Sequence, residues 1–165
     1  MPTYDVFHSC SLTAEETGQL ALAITQIHST SFGVPSLFVS IYFHDVSSQA
    51  AYAGGKRRTS PNRITAEVRP EAHSREELLG LLQDISDAWN KVLNVTSSTA
   101  GDKELTILLA VPGFTAGIEN GLELPKGGDD FAWLKASKAE FERRAQAGQS
   151  DFAQLLKELN TLYGI

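Results

Sequence analysis

The order strand–helix–strand is written twice in this chain, and each helix opens on its own capping box, Thr13 with Glu16 and Ser74 with Glu77. In such a box the hydroxyl accepts from the backbone three residues on, while the Glu reaches back to the cap, so a helix start is fixed locally. Tyr4 to His8 alternates as a short strand ahead of the first box. Leu20, Ile24 and Ile27 then follow helical spacing to about Ser31, His28 lies one turn beyond Ile24, and Gly33 and Pro35 stop the helix. Leu37 to His44, rich in β-branched and aromatic residues, is the strongest strand signal. After a loop from Asp45 to Pro61 the pattern restarts. Arg63 to Val68 is a strand, a helix carries Leu78, Leu81, Leu82, Ile85 and Trp89, and Leu105 to Val111 is a buried strand.

A helical crossover brings the strands on either side of it back parallel and lays the helix on the sheet. The expected fold is therefore α/β (α+β): two β-α-β units in one four-stranded mixed sheet with helices on one face, followed by C-terminal helices. One domain is expected over 1–165, divided into 2–62, 63–112 and a loop and helical tail over 113–165. Gly113 to Gly121 reads as loop or short helix, and helices are expected over Asp129–Ala145 and Ser150–Tyr163. Phe152, Leu155, Leu156, Leu159 and Leu162 give the last one an apolar stripe, which fits packing on its own domain or on a neighbouring subunit.

Composition removes several function classes. The net charge is −6 and the longest basic run is Lys56, Arg57, Arg58, so nucleic acid is not expected as a partner. Cys10 is the only cysteine, which excludes an intrachain disulfide and fits a reducing, cytoplasmic setting. No signal-peptide pattern and no apolar run of about 18 residues is present, so no membrane association is expected. The sequon Asn94-Val95-Thr96 then has no role. His8, His44 and His73 lack metal-ligand spacing, and there is no Gly-rich phosphate loop or Gly-x-Ser-x-Gly elbow. Neither metal nor cofactor is expected.

Pro2 is the sharpest candidate for chemistry. Removal of Met1 would leave it as a secondary amine, and an α-amino group titrates near ~8, lower still in an apolar pocket. Such an amine works as a base, or as an acid when protonated. By position alone Pro2 is equally a tolerated second residue. His28, on an apolar helix face, fits a hydrogen-bonded core residue better than a ligand. Arg69, at a strand end, is suited to a bidentate grip on a carboxylate, or to a surface ion pair. Glu119, between Gly117 and Gly121, is placed to activate water or relay a proton, or is simply solvated. Arg57 and Arg58 beside Gly54 and Gly55 are candidates for holding an anion, although charge runs usually face solvent.

Together these residues resemble the tautomerase superfamily, in particular the branch of cis-3-chloroacrylic acid dehalogenase and its mostly fungal relatives. The resemblance rests on Met1-Pro2-x-Tyr4, on His28 closing the first helix, on the stretch from Pro35 to Val46, and on Tyr52 to Arg58. Glu119 ahead of Leu124-Pro125, followed by Trp133, completes the set, which covers about residues 2 to 145. It implies a tautomerase-like fold and a homotrimer with Pro2 at the base of each pocket. Pro2 would be the catalytic amine, His28 and Arg69 would hold a substrate carboxylate, and Glu119 would position water or carry a proton. Tyr4 would lie beside the proline, and His73 stands where a second arginine is expected. The last strand carries Ile107, Leu108 and Leu109 where the dehalogenase has a tyrosine. These departures favour proton transfer, that is keto–enol tautomerisation of a small 2-oxo or 2-hydroxy-enoic acid. Hydration or hydrolytic dehalogenation of a haloacrylate-like acid is the alternative, with an inactive binding homologue as a third reading.

Overall fold

A computed structural model describes residues 2–69, 72–96 and 98–165. Its main sheet has four strands in the order β2-β1-β5-β6, built from β1 (Thr3–His8), β2 (Ser40–Asp45), β5 (Asn62–Val68) and β6 (Leu105–Pro112). Pairs β1·β2 and β5·β6 are parallel, while β1 and β5 run antiparallel with Thr3 opposite Glu67 and Val6 opposite Ile64. The sheet is therefore mixed, made of two β-α-β units joined edge to edge. Helices α1 (Ala14–Phe32) and α2 (Arg75–Val92) are the crossovers, and both capping boxes are formed.

The alternation along β1 and β5 decides which face is covered. Tyr4, Val6, Ile64, Ala66 and Val68 pack beneath Leu20 and Ile24 of α1 and Leu81, Ile85 and Trp89 of α2. Their neighbours Asp5, Phe7, Arg63, Thr65 and Glu67 point to the other face, where no helix lies. There His44 meets Asp5 at 2.6 Å and stacks on Phe7, and Arg63 lies over the same Phe7 ring. Tyr42, Ile107 and Leu109 share that open face and are half exposed.

Three segments differ from the sequence-based expectation. The run from Leu37 begins as a single helical turn (Ser36–Phe38) behind Pro35, and β2 starts only at Ser40. The long loop holds a small hairpin of β3 (Tyr52–Ala53) and β4 (Lys56–Arg57), turning on Gly54 and Gly55, both at positive φ. The segment after β6 holds no helix but a second hairpin, β7 (Ile118–Glu119) and β8 (Leu122–Glu123), whose turn residues Asn120 and Gly121 also have positive φ. Asn-Gly is the residue pair that a two-residue turn of this kind favours.

The C-terminal helices α3 (Asp130–Gln146) and α4 (Ser150–Tyr163) pack on the same chain. Leu134, Phe141, Phe152, Leu155 and Leu159 form a second core around Phe38. Glu158 of α4 accepts from both the backbone N–H and the hydroxyl of Ser36, at 2.7 and 2.6 Å. The Tyr163 hydroxyl donates to the Gly33 carbonyl, which ends α1. The tail is thus fastened to the loop between α1 and β2.

Candidate active site

The antiparallel register of β1 and β5 sets the start of one strand beside the end of the other. Pro2 precedes Thr3, Arg69 follows Val68, and Thr3 faces Glu67, so Pro2 and Arg69 meet at one end of the sheet. Helix α1 ends over the same place. Its buried stripe of Leu20, Ile24 and His28 carries the imidazole to the cavity as the last buried residue of the helix. Pro2, His28, Arg69 and His73 line one cavity of about 110 Å³ together with Phe32, Phe38, Val68, Asp130, Trp133 and Tyr163. That volume suits a small organic acid.

His28 is held from behind. The Tyr4 hydroxyl lies 2.7 Å from its Nδ1, and both side chains are essentially sealed from solvent. Burial drives the phenol pKa upward, so the tyrosine keeps its proton. That proton has no other acceptor among the described residues, so Tyr4 donates to Nδ1 and the imidazole proton sits on Nε2. Nε2 has no hydrogen-bond partner among the described residues and is not among their sealed polar atoms, which leaves it facing the cavity. Burial, and then the neighbouring His73, lower the His28 pKa to about 4. His28 is a neutral hydrogen-bond donor at neutral pH. The Phe32 ring stacks on His73 with centroids 3.7 Å apart and meets His28 edge-on at 4.9 Å, forming one wall. Burial lowers the His73 pKa as well.

Arg69 is the only cation among the described residues of this cavity. Its side chain is 8% exposed, and Nη1 donates to the Pro125 carbonyl at 2.8 Å. Nε and Nη2, which share one edge of the guanidinium, have no hydrogen-bond partner among the described residues. Asp130 Oδ1 stands 3.2 Å from Nη2, outside hydrogen-bond geometry. A buried guanidinium edge without partners is costly, and a carboxylate is the group that satisfies it best.

The remaining expected residues lie elsewhere. Glu119 lines a second recess on the other side of Pro2, with Thr3, Tyr42 and Phe114, so the proline stands between the two. Burial raises the Glu119 carboxyl pKa. Tyr4 is fully buried, lines neither recess, and lies behind His28. Arg57 and Arg58 are exposed and line a separate recess with Ser9, Ser47 and Gln49. Among the described residues, no group of three His, Cys, Asp or Glu is placed to hold a metal ion, and no helix is long and apolar enough to cross a membrane.

Sequence reasoning missed Asp130, Phe32, Phe38 and Tyr163 as pocket residues. Asp130 opens α3 and Tyr163 closes α4, and the packing of that hairpin brings both to the cavity.

Solved structures share this fold. N1, a member of the cis-3-chloroacrylic acid dehalogenase (cis-CaaD) family, superposes with a TM-score of 0.67 at 20% identity, covering 93% of this chain and 99% of its own. A structure described as "a probable enzyme" from the thermophilic fungus Aspergillus fumigatus gives 0.58 at 24% identity, covering 82% and 94%. A fused 4-OT wild-type asymmetric trimer gives 0.56 at 16% identity, covering 72% and 95%. No curated protein sequence matches the chain. Residues 1–138 match the model of the tautomerase family described as "Putative oxalocrotonate tautomerase enzyme". That span is most of the chain, and the protein belongs to this family of the tautomerase superfamily.

Proposed function

We propose that this protein is a cofactor-independent keto–enol tautomerase acting on a small 2-oxo or 2-hydroxy-enoic acid. The observation that carries this reading is the meeting of Pro2, His28, Arg69 and His73 in one small cavity from three separate segments, the start of β1, the end of α1 and the connection from β5 to α2. With Met1 removed, the Pro2 nitrogen is a secondary amine beside apolar Val68 and Phe38, an environment that favours its neutral, basic form. It takes a proton from the enol oxygen, and the resulting ammonium returns a proton to carbon, so that O–H breaks, a C–H bond forms, C=C becomes a C–C single bond and C–O becomes C=O. Arg69, through its free Nε and Nη2, binds the carboxylate. His28 Nε2–H donates to the oxygen on which charge develops, a positioned donor in a site shielded from water.

A second reading is favoured by one observation, the position of Glu119 across Pro2 from the main cavity. There a protonated Pro2 would act as acid while Glu119 activates water, giving hydration or hydrolytic dehalogenation of a haloacrylate-like acid.

The working assembly is proposed to be a homotrimer, which the half-exposed Tyr42, Ile107 and Leu109 on the uncovered sheet face support. The fused 4-OT trimer of the same fold is consistent with it. The test of activity is spectrophotometric ketonisation of a 2-hydroxy-2,4-dienoic acid by the protein and by Pro2→Ala. Turnover that falls at least a hundredfold in the variant is expected. Halide release or hydration without ketonisation would replace the first reading by the second.

A further inference from the structure

Arg69, the cation of the pocket, already has a carboxylate beside it. Asp130 opens α3, lines the same cavity, and sets Oδ1 3.2 Å from Nη2. That edge, Nε with Nη2, is where a substrate carboxylate would dock with two parallel hydrogen bonds. Asp130 does not bond it well, because neither nitrogen finds a hydrogen-bond partner among the described residues. It does offset its charge: among the described side chains of this cavity, Arg69 is the one guanidinium and Asp130 the one carboxylate. Arg69 is fixed, tied to the Pro125 carbonyl and nearly sealed. Asp130 has half its side chain in solvent, so it is the partner free to move.

We propose that Asp130 is a specificity-determining residue, an internal competitor for the Arg69 edge that weakens every carboxylate ligand and rejects dicarboxylates most strongly. This rests on the reading of Arg69 as the carboxylate site. A docked carboxylate must either push Asp130 toward solvent or lie beside it, and like charges at that separation repel. A dicarboxylate brings a second negative charge into a cavity with no second Arg or Lys side chain among the described residues. A neutral ligand of the same shape meets neither penalty. The site therefore selects on charge as well as size, through a residue contributed by the C-terminal helical hairpin.

The test uses three unreactive probes, crotonate, its amide crotonamide, and fumarate, with the full-length protein. Trp133 lines the cavity while Trp89 is buried in the main core, so quenching of tryptophan emission reports pocket binding. In Asp130→Asn, crotonate should bind on the order of tenfold more tightly, fumarate should gain more, and crotonamide should not change. Asp130→Ala gives the same ranking without the amide of the Asn. Unchanged crotonate affinity in both variants overturns the proposal, as does an equal gain for crotonamide, which would indicate a wider pocket. Because binding is read without turnover, the experiment is repeated with Pro2→Ala. A gain for crotonate with no detectable ketonisation by the parent protein would sink the tautomerase reading and keep this one. Crotonate affinity that survives Arg69→Ala would overturn the carboxylate site and Asp130's role with it.

Discussion

The Tyr4 hydroxyl donates to His28 Nδ1 across 2.7 Å inside the core, and so fixes which nitrogen of the imidazole faces the cavity. Tyr4→Phe removes that donor and leaves Nδ1 buried without a partner, at a cost of about 1–3 kcal/mol. The proton is then free to sit on either nitrogen. Urea unfolding should show the loss of stability, and nitrogen NMR of the imidazole should show a single tautomer becoming a mixture. A Tyr4→Phe protein with one unchanged tautomer would remove Tyr4 from this role.

The same burial makes stability depend on pH. His28 titrates near 4 when folded and near its ordinary 6.5 when unfolded, because burial disfavours the cation. Between these values the unfolded chain binds more protons, so stability is complete above about 6.5 and falls as pH drops toward 4. The slope from this one group is at most about 1.4 kcal/mol per pH unit. His28→Gln should flatten the unfolding free energy in that window. A slope that survives the substitution belongs to other groups.

Arg69→Ala should lower kcat/KM for a 2-hydroxy-enoic acid on the order of a hundredfold, the usual scale for one positioned charge-stabilising donor. Arg69→Lys should recover only part of this, since an ammonium cannot reproduce the two-point grip of the Nε–Nη2 edge. Steady-state kinetics decide it, and an Arg69→Ala variant with parental kcat/KM takes Arg69 out of the site.

Glu119 separates the two chemistries. It lies outside the main cavity, and burial raises its carboxyl pKa. Glu119→Gln should leave ketonisation within severalfold of the parent and abolish any hydration of a propiolate or haloacrylate acid. Loss of ketonisation by a hundredfold or more would instead put Glu119 in the tautomerase proton path.

The C-terminal helix should matter for binding as well as folding. Leu155 is fully buried against Phe141 and Phe38, and Phe38 lines the cavity. Leu155→Ala should cost about 2–5 kcal/mol by cavity formation. Thermal unfolding measures this, and the affinity for crotonate should fall with it.

How far the sequence led depended on whether an interaction was local. The capping boxes of Thr13 and Ser74 depend on residues three apart, so both helix starts and the twofold strand–helix–strand order were legible. Asn120-Gly121 carried an equally local turn signal, yet the hairpin went unread, since its strands are only two residues each. The pocket is a non-local object. Pro2 and Arg69 meet through strand register, and Asp130 and Tyr163 arrive by packing of α3 and α4, which no spacing in the sequence encodes. Tyr4 shows the limit of reading neighbours along the chain. It is two residues from Pro2, but strand alternation turns it into the core and onto His28.

The proposed chemistry requires Pro2 to be a free, nucleophilic amine in a pocket that accepts 2-oxo acids. The direct measurement is the intact mass of the protein before and after brief exposure to 3-bromopyruvate, with the adduct mapped by peptide sequencing. The expected result is a mass lacking Met1 and a single adduct on Pro2, prevented by crotonate. A retained Met1, or a Pro2 that stays unlabelled while the protein is folded, would contradict it and leave a binding protein on a tautomerase scaffold as the better description.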